Sequence, residues 1–156
     1  MKGRRLILGF LSFLLLGVGM VPAFAGDSLY GKVTEVRSAD VVLLENGGAR
    51  FIVRIVGIET PKEGPLAAQA KEFVSKLVLG KNARMRLEAR TPKGEMIARL
   101  LTDDPEKGIK DVGLELVRSG LAQRQRDYDY KYGELSKAQE EARRARRGLW
   151  STEQQK

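Results

Sequence analysis

The sequence contains neither cysteine nor histidine. The absence of cysteine excludes disulfide bonds, thiolate nucleophiles, cysteine-bound zinc and iron–sulfur clusters. The absence of histidine excludes Ser-His-Asp and Cys-His catalytic groups and every metal site built on imidazole. Any catalysis must therefore use carboxylates, lysine, arginine, tyrosine or hydroxyl groups, and any metal must be a hard cation held by oxygen atoms.

Acidic residues are also fewer than basic ones. The 156 residues include 20 Asp and Glu against 28 Lys and Arg, which gives a formal net charge of +8. A chain of this length is long enough for one domain to bury a core without covalent cross-links. The positive balance favours a polyanionic partner or an acidic surface, although charge alone does not indicate a fold.

The N-terminus has the pattern of an export signal. The basic start Met1–Arg5 precedes the apolar run Leu6–Met20, and Ala23 and Ala25 supply the small residues of a signal-peptidase site. This pattern predicts a signal peptide over residues 1–25 and a periplasmic or extracellular protein. An uncleaved membrane anchor is the alternative, because about 20 apolar residues can span a bilayer.

Cleavage after Ala25 changes the charge and the membrane prediction. The signal carries three positive charges and no negative one, so the net charge falls from +8 to +5. Residues 26–156 then form a single domain for which we expect no stable membrane span. We also expect this domain to be a monomer.

Apolar periodicity predicts both strands and helices in the remaining chain. Apolar residues, which alternate with polar ones in the last three segments, predict five strands, at Leu29–Val36, Val41–Glu45, Arg50–Ile58, Ala83–Ala89 and Met96–Thr102. Spacings of three and four residues predict three helices, at Leu66–Leu77 before Gly80, at Asp111–Ser119 with Asp111 as N-cap, and at Glu134–Arg147. This order favours a small β-barrel with helices packed on it over an alternating α/β sheet.

Several motifs resemble the staphylococcal nuclease (thermonuclease) family. They are Arg54 on a strand, the turn Glu59-Thr60-Pro61, the helix start Gly64-Pro65, LVRSGLAQ at Leu116–Gln123 and ARRARRGLW at Ala142–Trp150. The resemblance covers about residues 29–151. It implies a five-stranded OB-fold barrel with three helices, in a family of secreted, calcium-dependent phosphodiesterases that act on DNA and RNA.

The resemblance also implies which residues occupy the catalytic and metal positions. Arg54 matches the first catalytic arginine, and Glu59 and Thr60 match the carboxylate and hydroxyl of the following turn. The first calcium aspartate of the family falls on Ala39 in an ungapped reading. The neighbouring Asp40 is expected to point to the opposite face unless the turn is remodelled, because adjacent strand residues alternate in direction.

Two other family positions carry the opposite charge here. The catalytic glutamate falls on Lys62, and the adjacent Glu63 would substitute only if the loop shifts its register. The second arginine falls on Glu95, and Arg99 lies four residues further on, roughly 13 Å away along a strand. Since losing a transition-state arginine can cost about 10³–10⁵ in rate, we expect hydrolysis to be weak or lost. Calcium, if bound, would use Asp40, Glu59 and Thr60, but we expect no cofactor.

A separate segment suggests a binding surface. Arg124, Arg126, Tyr128 and Tyr130 alternate with other residues, so an extended chain would place them on one face. Arginines beside aromatic rings suit the phosphates and bases of single-stranded nucleic acid. The alternative is that the tyrosines cover the barrel or brace the last helix.

Together these patterns predict an exported nuclease-like OB-fold domain that binds nucleic acid or another polyanion, with phosphodiesterase activity weak or lost. One alternative is a divergent calcium-dependent endonuclease acting on DNA or RNA through a rearranged metal site. A second alternative is a protein-interaction module that binds no nucleic acid. The arginines of ARRARRGLW are interpreted as a solvated helix face, where they also complement the helix dipole.

Overall fold

A computed structural model describes residues 28–104 and 108–151. The predicted signal peptide at residues 1–25 lies outside these residues. Within them, no helix is both long enough and apolar enough to cross a membrane.

Five strands close into the barrel that the sequence predicts. They are β1 (Ser28–Ser38), β2 (Val41–Asn46), β3 (Ala49–Ile55), β5 (Asn82–Arg90) and β6 (Met96–Asp104). β1 pairs antiparallel with β2 and β5, β2 pairs with β3, and β5 pairs with β6. A parallel pairing of β3 with β6, from Val53 opposite Met96 to Ile55 opposite Ala98, closes the barrel. The five-stranded OB-fold barrel is thus confirmed.

Three short strands and three helices complete the fold. The short strands are β4 (Ile58–Glu59), which pairs with β8 (Gln123–Arg124), and β7 (Gly108–Asp111), which pairs with the end of β6. The helices are α1 (Gly64–Val78), α2 (Val112–Arg118) and α3 (Glu134–Arg144), and a 3₁₀ turn follows at Gly148–Trp150. The predicted three helices are confirmed, although α3 ends three residues earlier than predicted.

The core lies inside the barrel and under the helices. Inward strand residues such as Val33, Leu44 and Leu100 are fully buried. The apolar face of α3, which includes Leu135 and Ala138, packs into the same cluster. Burying a side chain of this size contributes about 1.5–3 kcal/mol, so these contacts dominate the stability of the domain.

The third strand is shorter than predicted. β3 ends at Ile55 rather than Ile58, because Gly57 adopts a φ of +78° and turns the chain. The ring of Tyr128 packs against this turn so closely that a Cβ at position 57 would lie 2.3 Å from it. This turn directs Glu59 and Thr60 away from the line of β3.

A close contact between two glycine turns joins the ends of α2 and α3. The Leu149 amide donates to the Gly120 carbonyl at 2.9 Å, and a Cβ added to Gly120 would lie 2.2 Å from the Arg147 carbonyl oxygen. Gly120 also has a φ of +70°. The LVRSGLAQ and ARRARRGLW motifs therefore serve the architecture, since each supplies one side of this contact.

Gly120→Ala should lower the free energy of unfolding by about 2 kcal/mol, because it combines left-handed strain with a backbone clash. Gly47→Ala is the matched control, since Gly47 has a φ of +57° but no atom within 4 Å of the added Cβ. Urea denaturation monitored by circular dichroism measures both variants. Equal losses in the two variants would show that the contact between the glycine turns contributes nothing.

Candidate functional site

Asp40 lies at the centre of a charged site at one end of the barrel. It is 5% exposed and sits in the turn between β1 and β2, where its backbone carbonyl accepts a hydrogen bond from the Ile55 amide at 2.8 Å. Its carboxylate accepts a hydrogen bond from the Ser38 hydroxyl at 2.8 Å. The preceding Ala39 points into the core.

The expectation that Asp40 points to the opposite face was conditional on a regular strand, and the structure instead has a turn at residues 39–40. Strand alternation does not apply here, because residues 39–40 form a turn and β1 has a register irregularity between Val36 and Ser38. The turn aims Asp40 towards the site and leaves the core-facing position to Ala39. A remodelled turn was the exception to the predicted direction, but the sequence alone does not show that the turn takes this form.

Arg54 joins Asp40 to a second carboxylate. One terminal nitrogen of its guanidinium donates to Asp40 Oδ2 and the other donates to Glu95 Oε2, each at 3.3 Å. The turn before β6 fixes Glu95, whose amide donates to the Thr91 hydroxyl at 3.1 Å. Glu95 thus lies against Arg54 instead of facing solvent.

Lys62 and Thr60 complete the contacts of Asp40. The Lys62 ammonium donates to Asp40 Oδ2 at 2.8 Å and to the Thr60 hydroxyl at 3.3 Å. Thr60, which is buried, donates in turn to Asp40 Oδ1 at 3.2 Å. Each oxygen of the Asp40 carboxylate therefore has at least two donors.

These contacts make a four-charge network of Asp40, Arg54, Lys62 and Glu95 with two positive and two negative groups. Burial alone would raise the pKa of Asp40, but hydrogen bonds from Lys62 and Ser38 and the Lys62 charge hold it below its ordinary value. Asp40 is accordingly ionised at neutral pH, and its negative charge is compensated within the protein.

The donor set of this site does not fit a calcium ion. Calcium takes six to eight oxygen ligands and favours clustered carboxylates, whereas the Asp40 carboxylate is in contact with an ammonium and a guanidinium. Across residues 28–104 and 108–151 there is no group of three or more Asp and Glu side chains that would hold a metal. Lys62 supplies the positive charge beside Asp40 that a cation would otherwise provide.

The other two predicted carboxylates face elsewhere. Glu59 is exposed and its Oε2 accepts a hydrogen bond from the Gln123 side chain at 3.0 Å, so it belongs to the β4–β8 pair. Glu63 is exposed at the N-cap of α1 and makes no side-chain capping bond. Neither contributes a hydrogen bond to Asp40 in the part of the chain that the structure describes.

Arg99 belongs to a separate network further along β6. Its Nε donates to Asp111 Oδ2 at 2.8 Å, and its guanidinium lies 3.9 Å from the centre of the Tyr130 ring. The Tyr130 hydroxyl donates to Asp111 Oδ1 at 3.2 Å. Arg99 therefore does not replace the missing arginine at position 95, as the sequence predicted.

The predicted binding face at residues 124–132 is not formed. β8 ends at Arg124 and the chain then turns, so the residues do not alternate as in a strand. Tyr130 is buried, and the Tyr128 hydroxyl donates to Glu88. Both tyrosine hydroxyls are hydrogen-bonded within the protein, to Asp111 and Glu88, so these side chains brace the barrel instead of forming an exposed binding face.

Arg124 and Arg126 instead lie in a cleft with residues that the sequence did not indicate as a group. We call it the arginine cleft. It has a volume of about 320 Å³ and is lined by Glu59, Gln123, Arg124, Arg126, Gln139 and Arg143. The only signal in the sequence was the arginine content of ARRARRGLW, which alone does not distinguish Arg143 from its exposed neighbours.

Comparison with known protein families gives one match over most of the chain. The model of the staphylococcal nuclease homologue family matches residues 52–152. This range contains Arg54, Thr60, Lys62 and Glu95 of the charged site, whereas Asp40 precedes it.

Two fungal relatives are named probable endonuclease LCL3. The protein from Verticillium alfalfae is 33% identical over 120 residues, which cover 67% of this chain and 40% of the relative. The protein from Podospora anserina is 27% identical over 170 residues, which cover 83% of this chain and 60% of the relative. The chain thus spans about half the length of these relatives.

Proposed function

Because the chain belongs to the staphylococcal nuclease homologue family, we propose that it is an exported nuclease-like domain that binds nucleic acid or another polyanion and hydrolyses phosphodiesters weakly or not at all. The observation that supports weak or absent hydrolysis is the four-charge network, in which Lys62 forms an ion pair with Asp40 and Glu95 forms an ion pair with Arg54. Export to the periplasm or the exterior rests on the signal-like residues 1–25.

The network opposes phosphoryl transfer for two physical reasons. A phosphate that approaches Arg54 must first displace Glu95, and it would then lie beside a negative charge where positive charge stabilises the transition state. Lys62 is a cation at the position where the resemblance implies a glutamate that orients or deprotonates water. The charge reversals at Lys62 and Glu95 therefore both oppose phosphodiester hydrolysis. Because one adds a positive charge and the other a negative one, the four groups together have a net charge of zero.

A divergent endonuclease is the second candidate function, and one observation favours it. Asp40, Arg54 and Thr60 still converge within hydrogen-bond distance, and both fungal relatives carry the name probable endonuclease. A nuclease of this kind would need Lys62 and Glu95 to move away from their partners when substrate binds.

We expect the purified protein to bind single-stranded DNA and RNA without cleaving them. Fluorescence anisotropy should show affinity that falls steeply with salt, because backbone phosphates release counterions on binding. Gel analysis after prolonged incubation should show intact strands in both calcium and EDTA. Arg54→Ala is the matched variant, since it removes the remaining catalytic-type side chain.

Three results would distinguish the candidates. Efficient cleavage that requires calcium and is lost in Arg54→Ala would establish the divergent endonuclease and overturn the proposal. Absence of binding to either polymer at low salt would also overturn it and would favour a protein-interaction module. Salt-dependent binding with little or no cleavage would support the proposal.

A further inference from the structure

The four-charge network is a poor place for a polyanion to bind. Arg54 and Lys62 are each in contact with a carboxylate, so much of their positive charge is already compensated. An incoming phosphate would have to compete with Asp40 and Glu95 for these two cations. Basic side chains that have no acidic partner should therefore attract a polyanion more strongly than Arg54 and Lys62 do.

The arginine cleft contains such cations. The Arg126 guanidinium has no hydrogen-bond or ion-pair partner within residues 28–104 and 108–151, and Arg143 has only the Trp150 ring. Glu59 is the single acidic residue of the lining, and Gln123 donates a hydrogen bond to it. The cleft therefore has a net positive charge with two guanidinium groups free to bind.

Arg143 is held in an orientation that suits a phosphate. Its guanidinium carbon lies 4.3 Å from the centre of the Trp150 ring. A guanidinium packed on an aromatic face still presents its N–H groups at its edge, where a phosphate oxygen pair accepts them bidentately. Because the ring already restricts the Arg143 side chain, less conformational entropy is lost when the side chain binds a phosphate.

Arg124 fixes the opposite wall of the cleft. One of its terminal nitrogens donates to the carbonyls of Gln125, Arg126 and Tyr128 at 2.8, 2.7 and 2.9 Å. The Arg124 amide donates to the Gln139 side chain at 2.8 Å, which ties this segment to α3. Arg124 is a positioning residue, because these bonds hold the loop that carries Arg126 next to α3.

We propose that the arginine cleft binds the phosphodiester backbone of a nucleic-acid strand, with Arg126 and Arg143 as the phosphate ligands. This inference rests on the proposed polyanion binding and places it away from the charged site around Asp40. The cleft has no aromatic side chain in its lining on which a base would stack. Recognition is therefore independent of base sequence.

The test compares two double variants that each remove two positive charges. Arg126→Gln with Arg143→Gln removes the two proposed phosphate ligands and keeps the positioning residue Arg124. Lys137→Gln with Arg144→Gln is the control, because both residues lie on α3 beside Glu140 and Glu141 and Arg144 is already bound to Glu140. Fluorescence anisotropy of a labelled single-stranded oligonucleotide, titrated at several salt concentrations, measures affinity and salt slope for each protein.

The cleft variant should lose at least about tenfold in affinity, and its salt slope should fall by about 1.4, since each lost phosphate contact on a single strand removes about 0.7. The control variant should retain affinity within about threefold of wild type, because its charges are partly compensated by neighbouring glutamates. Arg143→Lys should weaken binding while leaving the salt slope unchanged, because lysine keeps the charge but not the bidentate geometry. Thymine and adenine strands should bind alike.

Equal losses in the two double variants would overturn the cleft as the binding site and leave the proposed function intact. A preference of more than about tenfold between thymine and adenine strands would also overturn it, since base stacking within the strand explains only modest differences and a large one requires contacts to bases. If the wild-type protein binds neither strand at low salt, both the inference and the proposed polyanion binding fail. Circular dichroism confirms that each variant is folded before titration.

Discussion

Lys62→Glu is expected to unfold more easily than the wild-type protein in EDTA and to be stabilised by calcium. The substitution removes the ammonium from a carboxylate that is only 7% exposed and places a second negative group beside it. The loss should be about 2 kcal/mol, less than for a fully buried pair, because Lys62 is 66% exposed and Asp40 keeps its contact with Arg54. Thermal unfolding in EDTA measures it.

Calcium should reverse part of this loss, because two neighbouring carboxylates and the Thr60 hydroxyl are the oxygen donors that a hard cation prefers. Free calcium at about ten times its dissociation constant would restore about 1.4 kcal/mol. Wild type should show no such response. Lys71→Glu is the control, since Lys71 lines the same shallow cleft as Lys62 but has no contact with Asp40. Calcium stabilisation of wild type, or of both variants equally, would contradict our account of Lys62.

Most of the fold could be predicted because local patterns and long-range packing agree. The alternation in Met96–Thr102 and the helical spacing in Glu134–Arg144 each produce one apolar face, and the fold buries these faces together. Asp111 was predicted as an N-cap and its carboxylate accepts a hydrogen bond from the Leu114 amide at 3.0 Å. The end of β3 was misplaced, because the sequence does not reveal that Gly57 adopts a positive φ.

The charged site was harder to predict than the fold. The sequence located Arg54, Lys62 and Glu95 at family positions but did not indicate that these side chains contact one another or Asp40. Their mutual compensation depends on the barrel, which brings the β1–β2 turn, β3 and the turn before β6 to one end. The direction of Asp40 was not predicted, because side chains alternate between two faces along a strand but not in a turn.

The prediction for the segment after β8 was wrong for a related reason. Tyr128 and Tyr130 were predicted to share an exposed face, yet a tyrosine brings both an apolar ring and a hydroxyl that need partners when buried. Gly57 makes room for one ring, and Arg99 and Asp111 satisfy the other. The sequence gives no indication of these partners, which come from elements distant along the chain.

Asp111 links this region to the barrel through three separate interactions. Its carboxylate caps α2 through the Leu114 amide, pairs with Arg99 and accepts a hydrogen bond from the Tyr130 hydroxyl. The Arg99 side chain is only 19% exposed and that of Asp111 only 5%. The same surroundings leave Arg99 with a raised pKa, because the Asp111 hydrogen bond and charge outweigh the effect of burial.

Asp111→Ala should therefore lower the free energy of unfolding by about 3 kcal/mol, more than Asp111→Asn or Tyr130→Phe. It leaves the buried Tyr130 hydroxyl unpaired, leaves Arg99 with the longer ion pair to Glu134 at 3.8 Å, and removes a helix cap. Asp111→Asn should lose less, since asparagine still caps α2. Tyr130→Phe should lose only about 1 kcal/mol, because it deletes one hydrogen bond and keeps the ring over Arg99. Chemical denaturation orders the three variants. If Asp111→Ala were no more destabilising than Tyr130→Phe, the Arg99 pair would contribute nothing and the cap would carry no measurable stability.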